Sequence, residues 1–309
     1  MRIVFMGSPG FSVPSLEALV RNGYEVAAVY TQPDRPAGRG RAMMVPPLKE
    51  AALRLGLTVE QTPSFRSPGA LEELRDYKPD VIIICAFGQI LPQSVLDIPP
   101  RECLNVHFSL LPRHRGASPV AAAILAGDEF TGVSIQIVRH KLDTGPVLAS
   151  AAVPILPTDN TGALTGKLAV IGANLLLEAL TGWVRGEITP RKQDEAVASY
   201  FAQVKKEDGE INWQLPAGDI WRRVRAFYPW PGSYTYWRGK MLKINEAEPL
   251  SGIKAGAGGV IALEETGLGI GTGEGVLGVN RLQLAGKRAM TAAEFLRGQR
   301  DFIGSVLPS

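Results

Sequence analysis

The first half of the chain alternates short, nearly unbroken apolar runs with amphipathic stretches of helix length, and this restricts the fold more than any other feature. Residues 2–6 (RIVFM), 26–30 (VAAVY) and 81–86 (VIIICA) lack polar alternation, as strands covered on both faces do. Between them, residues 14–21, 48–55 and 69–77 read as helices. Strand and helix in turn imply βαβ units, hence a Rossmann-like α/β fold: a mostly parallel sheet with helices on both faces. Residues 104–108, 133–138 and 147–154 add strands, and 161–180 a long closing helix.

Past about residue 186 the texture changes. All five tryptophans lie at or beyond Trp183, and glycines split short strand runs (MLKI, GVIAL, LGIG, GVLGVNRLQL). Such spacing predicts a small C-terminal antiparallel β-barrel of OB type. Thr291 and Glu294 form a capping box for a terminal helix. The expected organisation is an α/β domain over residues 1–186, a polar linker over 187–204 and a barrel domain over 205–309. A chain of 309 residues supplies a core for each of the two domains.

Charge and cysteine content exclude several classes of protein. Thirty-three Lys and Arg against thirty Asp and Glu leave a net charge of +3, so any basic patch must be local. One excess lies in residues 31–49, where Arg35, Arg39, Arg41 and Lys49 face Asp34 alone; another lies in 189–243, with ten basic and six acidic side chains. Two cysteines, Cys85 and Cys103, cannot build a disulfide framework or a four-ligand metal cluster. Both sit in apolar runs, where cysteine acts as a small buried hydrophobe. The three histidines lack metal-ligand spacing, so no metal is expected. The opening MRIVFMGSPG turns too soon for a signal peptide, and no window approaches 18 unbroken apolar residues. The expectation is a cytoplasmic protein with no membrane partner.

Gly7-Ser8-Pro9-Gly10 follows the first strand, where a dinucleotide fingerprint would stand. It does not match G-x-G-x-x-G, and Pro9 removes a phosphate-binding amide. A tight strand-to-helix turn is the better reading, and a dinucleotide-dependent oxidoreductase lacks its signature.

The segment from Cys103 to Pro112, CLNVHFSLLP, carries the most information. On a strand over 104–108, Asn105 and His107 point to one face near the carboxyl end, where open α/β sheets place their sites. A buried polar pair is costly unless satisfied or facing a cleft. Taken alone it would be a hydrogen-bonded core pair. Asp143, in Leu142-Asp143-Thr144-Gly145 after the next strand, adds a carboxylate that could orient an imidazole, although it could equally cap a turn. Cys103 shares the alternation of Asn105, but no base is fixed beside it to make it a nucleophile.

NVHFSLLPRHRGASPV, with LDTG about thirty residues on, resembles the catalytic core of the folate-dependent formyltransferases that use 10-formyltetrahydrofolate. With TQPDRPAGRGR near the N-terminus and RAFYPWPGSY near residue 230, the chain is similar end to end to the branch whose acceptor is methionyl-tRNA. The resemblance implies formyl transfer from 10-formyltetrahydrofolate to the α-amino group of initiator methionyl-tRNA, in translation initiation, by a monomer that grips the acceptor stem. It implies Asn105, His107 and Asp143 as the catalytic set. An amide fixed about 3 Å from a developing oxyanion stabilises it by roughly 3 kcal/mol, a role suited to Asn105. A histidine can shuttle the amine proton, and a carboxylate can hold the imidazole.

By the same resemblance Ser109, Leu110, Leu111 and Pro112 bind the tetrahydrofolate; residues 87–91, which end the preceding strand run, could line the same pocket. The loop 31–49, broken by Pro33, Pro36, Gly38, Gly40, Pro46 and Pro47, can be neither helix nor central strand. A solvated loop would suffice, but the resemblance makes it a wedge at the acceptor end through Arg35, Arg39 and Arg41. Arg222 and Arg223, among aromatics that mostly belong to the barrel core, would add RNA contacts. Two rivals remain: the same chemistry on a small amine such as a sugar nucleotide or glycinamide ribotide, and a non-catalytic RNA-binding protein.

Overall fold

The structure is a computed structural model that describes residues 1–37, 42–264 and 267–309. In chain order its first elements are β1 (Arg2–Gly7), α1 (Val13–Arg21), β2 (Glu25–Thr31), β3 (Arg35–Ala37), β4 (Ala42–Met44), α2 (Pro47–Arg54), β5 (Val59–Gln61), α3 (Pro68–Asp76), β6 (Val81–Cys85), α4 (Gln93–Leu96) and β7 (Cys103–His107). There follow β8 (Arg115–Gly116), α5 (Pro119–Ala126), β9 (Phe130–Ile137), β10 (Val147–Pro154), α6 (Thr161–Val184) and β11 (Tyr200–Phe201). The chain divides into two units. One comprises Met1–Pro119, Phe130–Pro154 and Thr165–Phe201; the other comprises Val120–Glu129, Ile155–Leu164 and Ala202–Ser309.

The first unit holds a seven-stranded sheet of order β10-β9-β7-β6-β1-β2-β5. From β7 through β5 every pairing is parallel, whereas β9 and β10 are antiparallel additions at one edge. The central runs IVFM and VIIIC are fully buried, consistent with strands covered on both faces.

At the β7–β9 pair the faces diverge. Leu104 and Val106 of β7 lie opposite Ile137 and Ile135, whereas Asn105 and His107 lie opposite Gln136 and Ser134. Cross-strand partners share a face, so one side of this pair is apolar and the other polar. Helix α6 covers the apolar side: a Cβ at Gly172 would lie 3.1 Å from Val106 and 3.2 Å from Val133. By length and composition α6 is also apolar enough to cross a membrane. The count of unbroken apolar residues misses this because Lys167, Asn174 and Glu178 interrupt it.

The second unit contains α7 (Ala217–Ala226), β12 (Ser233–Trp237), β13 (Lys240–Leu250), β14 (Val260–Ile261), β15 (Gly269–Gly271), β16 (Val276–Leu284), β17 (Met290–Thr291) and α8 (Ala292–Gly298). Its strands form a six-stranded antiparallel sheet, β12-β13-β16-β15-β14, with β17 on β16. Trp213 and Trp237 are in its core with Leu242, Val279 and Phe302. Thr291 and Glu294 make the capping box in both directions. Of the aromatics interleaved with the second basic stretch, Phe227 is buried and Trp221 packs against the core, whereas Trp230 is 59% and Tyr228 41% exposed.

Two sequence readings change at the level of the fold. The loop 31–49 carries a short two-stranded ladder, β3 against β4, and α2 begins within it at Pro47. Pro36 sits in that ladder as an edge residue that needs no sheet behind it. The segment expected as a linker is attached to the first unit through Phe201: Arg191 pairs with Val147, and β11 with β8.

Candidate active site

Asn105 and His107 emerge at the end of β7 on the polar face, beside Ser134 and Gln136 of β9. Among these, Ser134, Gln136 and His107 are buried, and each has a partner. Ser134 Oγ donates to Ser109 O (2.8 Å) and accepts from Leu111 N (3.1 Å). Gln136 Nε2 donates to Asp143 Oδ1 (2.8 Å). His107 Nε2 lies 3.1 Å from His114 O. A carbonyl only accepts, so in this arrangement Nε2 carries the proton and Nδ1 is the open position. Asp143 Oδ1 faces Nδ1 at 3.7 Å.

The Asp143 loop is built to present that carboxylate. Asp143 has φ +53°, left-handed backbone that costs a non-glycine residue about 1–2 kcal/mol. Two glycines make room around it. A Cβ at Gly145 would lie 1.6 Å from Ile137 O, and one at Gly116 (φ +113°) 2.2 Å from Phe201 O. Gly116 N then donates to Asp143 Oδ2 (2.8 Å). Both carboxylate oxygens are therefore held, one from β9 and one from β8. Among the described residues nothing hydrogen-bonds the half-buried Asn105 side-chain amide, so its donors remain available. The three predicted residues thus lie on one polar surface at the sheet's carboxyl end.

The Ser109–Pro112 segment curls beside them. Ser109 is buried with its hydroxyl turned inward to Arg113 O (2.6 Å), while Leu110, Leu111 and Pro112 are half-buried and offer apolar surface. Two residues of the expected 87–91 lining belong elsewhere: Phe87 and Leu91 pack in the core with Phe65 and Val95, because the chain folds inward after β6. Ile90 of the same segment is 81% exposed.

Cys103 does not join the site. It is buried with Cys85, and burial pushes both thiols up to about 12. Iodoacetamide at pH 8 should therefore label neither cysteine in the native protein and both after denaturation, as read by mass spectrometry; rapid native labelling of Cys103 would contradict this burial. Among the described residues no group of three or more His, Cys, Asp or Glu gathers as a metal would need.

The basic residues assigned to RNA are arranged differently from one another. Arg35 is exposed and donates to Gln32 Oε1 (3.0 Å), whereas Arg39 and Arg41 lie outside the described residues. Arg222 pairs with Asp219 (2.8 Å), and Arg223 donates to Asp208 O (2.6 Å) while stacked over Phe227. Arg225 donates to Asp159 O and Leu156 O and stacks on Trp221. This cluster is thus engaged inside its own unit.

Residues 1–180 match the Formyl transferase family, and residues 203–300 match its C-terminal domain. The chain is 51% identical over 305 residues to the methionyl-tRNA formyltransferase of Dehalococcoides mccartyi, spanning 98% of this chain and 97% of that one. The chain belongs to the methionyl-tRNA formyltransferase family. The enzyme of Halalkalibacterium halodurans is 44% identical over 311 residues, 99% of this chain and 98% of its own. An N-formyltransferase from Helicobacter canadensis, solved with folinic acid and dTDP-3-aminofucose, shares the fold at a TM-score of 0.68 and 20% identity, over 93% of this chain and 99% of that one. As a methionyl-tRNA formyltransferase, the chain moves the formyl group of 10-formyltetrahydrofolate to methionyl-tRNA for translation initiation. The near-full-length match, C-terminal domain included, decides against both the small-amine acceptor and the non-catalytic scaffold.

Sequence reasoning did not find Ser134, Gln136, Arg115, Gly116 or Gln193 around the site. For two of them a signal existed: Val133-Ser-Ile-Gln-Ile137 alternates apolar and polar at period two, the pattern of a strand with one polar face. Gln193 lies in a polar stretch with no periodicity, and nothing local marks it.

Proposed function

We propose that Asn105, His107 and Asp143 carry the formyl transfer at the carboxyl end of β7. The observation that supports this most is the pairing of an uncommitted amide donor, Asn105, with an imidazole whose Nδ1 faces a carboxylate held at both oxygens. The attacking α-amine must lose a proton; Nδ1 of His107 takes it, and the positive charge then lies against Asp143 Oδ1. The Asn105 amide donates to the oxygen that gains charge as the amine adds to the formyl carbon. His107 returns the proton to the departing nitrogen. 10-Formyltetrahydrofolate supplies the formyl group, and Ser109, Leu110, Leu111 and Pro112 hold it; the half-buried leucines and proline suit a flat ring system.

The acceptor stem of initiator methionyl-tRNA is gripped by Arg35, Arg39 and Arg41 of the 31–49 loop, with Arg222 and Arg223 of the C-terminal domain adding phosphate contacts. The functional division is a formyltransferase domain over 1–186, a linker over 187–204 and a tRNA-holding domain over 205–309. The protein works as a cytoplasmic monomer. In steady-state formylation, Arg39→Ala should raise the KM for methionyl-tRNA roughly tenfold, the size of one lost arginine contact, with kcat nearly unchanged. An unchanged KM would remove the loop from the RNA interface.

A further inference from the structure

The hydrogen bonds around Asp143 continue outward into the segment expected as a linker. Gln193 is buried, and its amide uses both ends. Nε2 donates to Asp143 O (2.9 Å) and Gly145 O (2.7 Å), with Gln136 Oε1 at 3.5 Å. Oε1 accepts from Arg115 Nε (3.0 Å) and Nη2 (2.9 Å). A guanidinium offers only donors and a carbonyl only acceptors, so the amide fits one way round. Glutamate at 193 could still accept from Arg115, but would set carboxylate lone pairs against two carbonyls.

Arg115 is the anchor of this arrangement. Its side chain is fully buried, doubly bonded to Glu195 (2.8 and 3.0 Å), bonded to Tyr200 Oη (2.6 Å) and set over the Tyr200 ring. The next residue, Gly116, bonds Asp143 Oδ2. Two routes from one arginine therefore converge on Asp143: through Gln193 to its main chain, and through Gly116 to its carboxylate. A left-handed aspartate between Lys141 and Gly145 needs surroundings that over-determine it. The Thr144–Lys141 turn supplies two local bonds, from Thr144 N (3.4 Å) and Oγ1 (2.8 Å) to Lys141 O, and Gln193 supplies two more from 50 and 48 residues away.

We infer that Gln193 is a positioning residue for formyl transfer: it clamps the 141–145 loop from behind and thereby sets the Asp143 carboxylate against His107. The inference rests on the reading of Asp143 and His107 as the catalytic pair. The attached segment is then part of the active-site scaffold and not only a tether.

The test is steady-state formylation of methionyl-tRNA by the full chain carrying Gln193→Glu, Asp143→Asn or Glu195→Gln, with amide hydrogen exchange followed at Gly116 and at β1. Gln193→Glu should lower kcat tenfold or more with both KM values within twofold. Gly116 should lose protection while β1 keeps it. Glu195→Gln, on the exposed rim, should lower kcat two- to fivefold in the same kcat-only way, and it carries the test should Gln193→Glu fail to fold. A crippled Asp143→Asn beside a Gln193→Glu of normal kcat would overturn the clamp alone. A fully active Asp143→Asn would overturn the catalytic reading, and the clamp with it. A loss in Gln193→Glu or Glu195→Gln expressed only as a higher KM for methionyl-tRNA would also overturn the inference.

Discussion

His107→Ala is expected to lower kcat for formyl transfer by about 10³-fold, within the range that a positioned general acid–base contributes. Removing the imidazole takes away the group whose open Nδ1 is placed to accept the amine proton and return it, whereas both Asp143 oxygens already accept hydrogen bonds. Asn105 does not titrate, and Asp143 is turned towards Gln136 and Gly116. The alanine should leave the fold intact: the ring makes one hydrogen bond, to His114 O, at the end of a strand whose ladder is main-chain. Added imidazole should restore part of the rate, because the vacated space adjoins the held carboxylate. A decrease below fivefold would show that another group moves the proton.

Asn105→Ala is expected to cost about 10²- to 10³-fold in kcat, the size of one lost oxyanion donor. The amide forms no hydrogen bond among the described residues, so its removal leaves no buried partner unsatisfied and folding stability should hardly change. The affinity for methionyl-tRNA, measured by filter binding, should stay within twofold, because the donor acts only once charge develops. Asn105→Asp should be slower still, since a carboxylate would repel the oxyanion. Affinity falling in step with turnover would move Asn105 from the chemistry to RNA binding.

These expectations depend on features of different legibility. Residues 147–154 form β10 as expected, and β1, β2, β6, β7 and β9 begin and end within three residues of the apolar runs that mark them, whereas the edge strand β5, with the sequence VEQ, carries no such run. Burial on both faces leaves a long, unbroken signal of that kind. Asn105 and His107 were legible for the converse reason, as polar residues two apart in an otherwise apolar run. Asp143 depended on family resemblance, since LDTG alone also describes a turn.

What holds these residues was much less visible. Gly116, Arg115 and Gln193 act through contacts spanning 27 to 85 residues, and no local periodicity encodes them. By composition the 187–204 stretch reads as a linker because it is polar. In the fold Gln193 and Glu195 of this stretch pair with Arg115, and Gln193 also bonds the carbonyls of the Asp143 loop. Composition alone cannot distinguish hydration from such pairing. Phe87 and Leu91 illustrate the opposite error: a segment next to a cleft can turn its apolar side chains into the core.

The most direct measurement is a crystal structure of the protein with an unreactive 10-formyltetrahydrofolate analogue. The formyl oxygen should sit within about 3 Å of Asn105 Nδ2, its carbon open to the side where His107 Nδ1 lies. A formyl group bound away from β7, with neither side chain in reach, would contradict the assignment of this cleft as the place where the acceptor is formylated.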